Sequence, residues 1–418
     1  MAQTPSSGAS ARFRVGTVLE NVPTPCYVPP SIAGIVPHIT PDNYAKLPEL
    51  TTQVVDFTDI CSVLASVKEK NGSLRDFLQL PCANAVLSAR DYIRYSNPPS
   101  KKGAFLVATG KGRREVSPAE LMEASALLRA QLLVPLADEV HASDGALVCG
   151  VVVGGTDERL RRLSAEETVK RDVQALLLSG LELMHTAAQR KNIIEVILDT
   201  IESTPGASSL PRFVTGIGHP LEVLEAVASG VDAFISTYPA KATQNHSACI
   251  FWMDPSTDDT RVHAMERDRS GSVLHLREAR FANDFTPLLV GCECYTCRHF
   301  TRAYVHHLLN VREMLGDTLL YVHNMHHYYR FFRTIRERIQ DGSFLPFMET
   351  FVGNYAEKAS DAPALAVPLA IAEKQEKKDA EKAERKEKKA ALAAQAIARV
   401  KAQAITDAAK RAETVTVE

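Results

Sequence analysis

The sequence predicts an α/β chain folded as a (β/α)8 barrel with a metal site near its C-terminal end. Three observations predict it. Short apolar, β-branched runs alternate with helical stretches of ten or more residues, and over roughly 250–340 residues that rhythm favours a closed barrel over a doubly wound sheet. Three cysteines crowd into residues 292–297, whereas Cys26, Cys61, Cys82, Cys149 and Cys249 stand singly. Beyond residue 370 the rhythm gives way to a charged, Ala-rich tail that has no apolar stripe at either helical period.

The elements follow in order. Residues 1–11 are small and polar and are expected to be disordered. RVGTVLE and CYVPP read as short strands, and PDNYAKLPEL, with Pro41 near its start, as a helix. GALVCGVVVGG is an apolar run of the kind buried on both faces in a parallel sheet. ERLRRLSAEETVKR reads as a charged amphipathic helix, QALLLSGL as a buried strand, and AAQRKNIIEVILDTIES as a helix. RFVTGIG is strand-like, HPLEVLEAVASG is a helix ending at Gly230, and VDAFIST is the next strand. The barrel is therefore expected to occupy residues 12–355, followed by a Pro-containing linker at 356–370 and the tail at 371–418.

Composition excludes some functions. With 45% hydrophobic and 23% charged residues the chain is globular in character. It has no run of about 18 or more apolar residues, so no membrane span is expected. MAQTPSSGASARF lacks the apolar core of a secretory leader, which makes the cytosol the expected compartment, with the nucleus as alternative because of ERKEKK in the tail. Residues 371–418 carry 12 Lys+Arg against 9 Asp+Glu, which leaves 36 against 41 in residues 1–370. A body with net charge −5 is no general polyanion binder, so nucleic acid must be met by local patches or by the tail.

The run GCECYTC brings Cys292, Cys294 and Cys297 within reach of one ion. Three thiolates that close repel unless a cation holds them, and zinc is the usual one. A fourth ligand closes the tetrahedron, and spacing leaves His299, His306, His307, His323, His326 and His327 as candidates. Phe300 to Leu315 reads as an amphipathic helix with Tyr304, Val305, Leu308, Val311 and Leu315 on one face. A turn at Gly316-Asp317 then returns the chain through TLLYVHN, so a histidine on that segment can reach back to the cysteines. His323 sits at its end, before a helix carrying Tyr328, Phe331, Phe332, Ile335 and Ile339.

Cys292-x-Cys294-x2-Cys297-x25-His323 resembles the zinc motif of the tRNA-guanine transglycosylases in order and spacing. Thr301 to Leu309 and His323-Asn324-Met325-His326 are similar to the segments that accompany it in that family. The collinear matches TPCYVPPSIAGIVPHITPDNY, VVGGTDERLRRLSAEE and FVTGIGHPLEVLEAVASGVDAF extend the likeness from about Phe13 to Tyr355. The resemblance implies a TIM barrel with a zinc-bearing insertion (about 291–327) and one structural Zn2+ per subunit, held by Cys292, Cys294, Cys297 and His323. It further implies the exchange of guanine for queuine at the wobble position of tRNAs with GUN anticodons. In that chemistry the target base leaves the stack, a carboxylate attacks the anomeric carbon and a second carboxylate manages the protons.

The chain departs from the catalytic pattern at the reacting groups. The family's nucleophilic aspartate follows the phenylalanine of a G-[IV]-D-x-F-D stretch, and here Gly230-Val231-Asp232-Ala233-Phe234 is followed by Ile235. An alkyl side chain cannot attack carbon. The second carboxylate's Asp-Ser-Gly-Gly motif is missing from KKGAFLVATGKGRREVSPAEL, the stretch matched to it. Asp138-Glu139 resembles the family's Asp-Glu pair, but Val153 stands where a glutamine is usual and Ser179-Gly180-Leu181 is a degraded base-contacting turn. The resemblance thus implies a non-catalytic subunit that forms a heterodimer with a catalytic queuine tRNA-ribosyltransferase subunit and supports tRNA binding. Arg298, Arg302, His306, His307, Arg330, Arg333 and Arg336 are the candidate tRNA or partner contacts. The alternative is a competent transglycosylase using Asp232 and Asp138.

Overall fold

A computed structural model describes residues 12–70, 72–93, 104–109, 112–135, 146–251, 253 and 272–359. Eight parallel strands run in chain order around a barrel: β1 Cys26–Val28, β2 Thr52–Asp56, β3 Asn84–Ser88, β4 Leu132–Val134, β5 Leu147–Val152, β6 Ala175–Leu178, β7 Arg212–Thr215 and β8 Ala233–Ile235. Each pairs in parallel with its sequence neighbours, and β8 returns to β1 with Ile235 beside Val28. A single parallel bridge, Pro30 to Val54, joins β1 to β2. The expected α/β barrel is the observed fold.

Side chains alternate as the pleat requires. Val28, Val54, Val86, Leu132, Cys149, Val151, Leu177, Phe213, Ala233 and Ile235 share the cluster inside the barrel. The intervening Leu176, Leu178, Val214 and Phe234 pack outward against the helices. These helices are α1 Pro118–Leu128, α2 Glu158–Val169, α3 Ala187–Glu202, α4 Pro220–Ser229 and α5 Tyr238–Gln244. Their ends follow local chemistry: Thr186 and Gln189 form a capping box at the start of α3. Gly230 ends α4 with φ 104°, a conformation a Cβ would strain.

After α5 the strand Ser247–Cys249 pairs antiparallel with Val273–His275, outside the barrel. Then come α6 Tyr295–His299, α7 Arg302–Asn310, α8 Met314–Gln340 and α9 Phe344–Ala359. This C-terminal part has its own apolar cluster, which includes Ile250, Leu274, Phe281, Leu288, Val305, Leu308 and Leu320. Among the described residues no helix is long and apolar enough to cross a membrane.

Several local expectations are corrected. RVGTVLE does contain a short strand, Gly16–Val18, but it pairs with Val22–Thr24 in a small antiparallel hairpin outside the barrel. Within PDNYAKLPEL only Pro41–Tyr44 is helical. KKGAFLVATGKGRREVSPAEL does not follow a barrel strand directly: it builds a second hairpin, Phe105–Thr109 with Gly112–Val116, and the start of α1. The segment that leaves β3 is Ala89-Arg90-Asp91-Tyr92, so the early mouth does carry an acid, Asp91. Gly316 marks no turn. The chain reverses at 311–313, where Arg312 takes φ 61°, and TLLYVHN lies inside one continuous helix, α8. Residues 1–11, 136–145 (with Asp138 and Glu139), the expected linker beyond 359 and the tail lie outside the described residues.

Candidate metal centre and barrel mouth

The Cys3His group is assembled by two elements that the sequence separates. Cys294 is the N-cap of α6, with its sulfur accepting from the Cys297 amide at 3.3 Å, so the turn that starts the helix also gathers the thiols. His323 enters from α8, fully buried. Its Nδ1 lies 3.8, 3.5 and 3.3 Å from the sulfurs of Cys292, Cys294 and Cys297, and all four donor atoms fall within 4.8 Å of one another. A tetrahedral ion with metal–sulfur bonds of about 2.3 Å and metal–nitrogen bonds near 2.0–2.1 Å needs sulfur–nitrogen separations of about 3.6 Å. The donor set therefore fits a metal ion. His299, His306 and His307 are not in the group: His299 turns to the Tyr295 carbonyl and His306 to that of Leu276, 2.7 Å away. His327 turns to the Phe251 carbonyl.

The electrostatics of the group call for a cation. Hydrogen bonding with Cys294 and Cys297 holds the Cys292 thiol far below its ordinary range, and hydrogen bonding with Cys292 and Cys294 holds Cys297 far above it. Burial alone lowers His323, but the Cys292 and Cys294 sulfurs raise it overall to about 10. Cys292 ionises readily while Cys297 resists, the behaviour expected of crowded thiols that an ion would bring to a common charge state. The scattered cysteines behave differently: burial pushes Cys26 and Cys82 up to about 12, and Cys149 and Cys249 higher. They are packed thiols.

The C-terminal ends of the strands form the barrel mouth. Ile235 ends β8 on the inward face, 2% exposed, in register with Val28 and Thr215. Asp232 is at the other end of the same strand. Its carboxylate accepts from Arg14 Nε at 3.0 Å, Arg14 Nη2 at 2.9 Å and the Arg212 amide at 2.9 Å. A carboxylate so engaged at the N-terminal end is a fastening for the barrel floor, which corrects the alternative that gave it a reacting role. The inward position that ends β2 is Asp56, paired across to Ser88. Burial raises the Asp56 carboxyl to about 7, aided by the charge of Asp91.

Two side chains fill the mouth from the β3 end. Tyr92 is buried in the barrel's interior cluster, its phenol pushed up by burial against the opposing pull of Ser88 and Arg90. Arg90 crosses toward β6 and donates to Ser179 Oγ at 3.3 Å. A second, wholly buried guanidinium, Arg161 of α2, donates to the carbonyls of Val152, Gly155 and Ser179 and so locks the ends of β5 and β6 together. Gly154 makes room for it, since a Cβ there would lie 2.8 Å from the Arg161 amide. Sequence reasoning missed Asp56, Arg90, Tyr92 and Arg161, for their roles depend on which strands stand opposite one another.

The basic set is dispersed along α6, α7 and α8. Arg302 is corrected from surface contact to internal clasp: it is 8% exposed and donates to Asp284 and to the carbonyls of Pro287 and Leu288. Arg336 donates to the Pro25 carbonyl at the start of β1, and Arg333 pairs with Glu49. Arg298 and His307 are exposed, while His306 and Arg330 are half-buried. Beside them is an apolar surface. Phe285, Val290, Tyr304, Val311, Met314 and Leu315 are all exposed, Met314 by 85% and Phe285 by 76%. Only Val305 and Leu308 of the predicted helix face are buried.

The family model described as queuine tRNA-ribosyltransferase matches residues 137–357. The chain is similar to proteins named queuine tRNA-ribosyltransferase accessory subunit 2. That of Anopheles gambiae is 28% identical over 398 residues, covering 84% of this chain and 89% of that protein. That of Ixodes scapularis is 30% identical over 378 residues, covering 79% and 93%. The Xenopus laevis protein is 38% identical over 228 residues, covering 49% and 54%.

Proposed function

Because this chain belongs to the queuine tRNA-ribosyltransferase family, we propose that it is the non-catalytic accessory subunit of a heterodimer, holding tRNA and supporting a catalytic paralogue in the exchange of guanine for queuine. The observation that carries this reading is Ile235. It stands where the resemblance places the nucleophilic aspartate, on the inward face at the C-terminal end of β8, and its alkyl group cannot form the covalent intermediate. The packing of Tyr92 in the barrel's interior cluster and the reach of Arg90 to Ser179 are consistent with it, since both place side chains across the barrel mouth. The names of the relatives support the accessory role.

The Cys3His group holds one zinc ion in this reading, with four protein ligands and no open position, hence a structural role. Bound there, the ion would supply a cross-link between α6 and α8, beside the exposed apolar face. So many large apolar side chains left exposed between residues 285 and 315 suit a partner better than solvent. The occupant of that face is the catalytic paralogue.

The test is association. Val311→Asp and Met314→Asp, at positions that bury little in the isolated chain, are expected to leave its unfolding temperature unchanged. They should weaken co-elution with the catalytic paralogue by tenfold or more. Undiminished co-elution of the double variant would remove this face from the interface.

A further inference from the structure

Helix α8 reads the backbone of the strand Ser247–Cys249 with its side chains. Residues 246 and 250 of that segment bond to the neighbouring strand: the Ile250 amide donates to Ser272 and the Leu276 amide to the His246 carbonyl. With strand alternation, the backbone groups of 247, 249 and 251 point the other way, toward α8. There the Asn324 Oδ1 accepts from the Cys249 amide at 2.7 Å, and its Nδ2 donates to the Ser247 carbonyl and to Thr243 Oγ1, both at 2.9 Å. His327 Nε2 donates to the Phe251 carbonyl at 2.8 Å. His323 Nε2 donates to the Cys249 carbonyl at 2.9 Å. Side chains of one helix thus stand in for a pairing strand.

This arrangement has a consequence for the metal centre. A hydrogen on His323 is placed at Nε2 by the Cys249 carbonyl, which leaves Nδ1, facing the three sulfurs, as the nitrogen that would bind an ion. Residue 249 is itself held from the other side by Asn324. We infer that Asn324 is a positioning residue of the metal centre: through residue 249 it fixes the tautomer and ring orientation of His323, and with them the affinity of the Cys3His group for its ion. Asn324 touches no ligand sulfur in this scheme. It acts on the acceptor that the ligand histidine needs. The inference rests on the reading of the Cys3His group as a zinc site.

Asn324→Ala removes all three bonds, and Asn324→Asp keeps an acceptor for the Cys249 amide while losing both donations. The expected order of zinc affinity, measured on the full chain by competition with a chelator, is wild type, then Asp, then Ala. The loss for Ala should be about ten- to hundredfold, the usual range for a partner that orients a metal-binding histidine. A packing role alone would lower the unfolding temperatures of zinc-loaded and metal-free protein equally, whereas a positioning role shrinks the difference between them. Cobalt substitution supplies the spectroscopic check: the thiolate-to-cobalt band should persist in both variants. If Ala does not fold, Asp carries the test. Affinity within about twofold of wild type in the folded variants overturns the inference, and a wild-type chain that binds no zinc overturns instead the reading beneath it.

Discussion

At the scale of single residues, the barrel mouth joins an inert position to strained ones. Ile235 completes the apolar interior and contributes to packing as its neighbours Val28 and Phe213 do. Asp56 contributes the opposite, a carboxyl that is 5% exposed, with Oδ1 accepting from the Thr58 amide and Oδ2 buried without a hydrogen-bond partner among the described residues. Its acidity in the folded chain lies at about 7 against an ordinary value of 3.8. Between those values the folded state holds a proton that the unfolded state has released, so this group erodes stability as pH rises through that window, and the loss is complete above it. Asn at this position keeps the acceptor for Thr58 and has no proton to lose. The Asp56→Asn variant should therefore gain on wild type by about 2–3 kcal/mol between pH 5 and pH 8, read from urea unfolding at both values. A constant difference between the two proteins would show that Asp56 ionises normally.

At the scale of elements, the segment from Asp284 to Gln340 is held by polar clasps as much as by its small apolar cluster. Arg302 ties the start of α7 to residues 284–288, and Asn324 ties the middle of α8 to the strand Ser247–Cys249. Removing a buried guanidinium leaves one carboxylate and two carbonyls short of partners, so Arg302→Ala should cost about 3–5 kcal/mol of unfolding free energy. The same variant, compared at equal folded fraction, should bind tRNA as wild type does. Weakened tRNA binding with unchanged stability would return Arg302 to the surface set. What the sequence reveals of these elements depends on how far each explains itself locally. The strands LVCGVV and ALLL are unbroken apolar runs and are legible, as is the cysteine cluster, whose ligands lie within one turn. The strands β2 and β3 escape notice because their inward ends are polar, Thr52 and Asp56 in one, Asn84 and Ser88 in the other. The face of α7 misleads for a different reason. Tyr304 and Val311 look the same in sequence whether a core or a partner covers them, and only the fold leaves them exposed.

At the scale of the whole molecule, the family scaffold persists around a changed centre. The eight-stranded closure, the Cys3His group and the ends of the long α8 depend on packing and hydrogen bonds distributed over the chain, and these are intact. At the inward end of β8 the position is filled by the alkyl side chain of Ile235, which on the proposed reading stands where a nucleophile would be. The most direct measurement is base exchange with the purified chain: tRNA bearing a GUN anticodon and labelled guanine, first with this chain alone, then with the catalytic paralogue added. No incorporation above background is expected from the chain alone, and incorporation is expected once the two are mixed, at a rate above that of the paralogue by itself. Incorporation by this chain alone would contradict the non-catalytic reading.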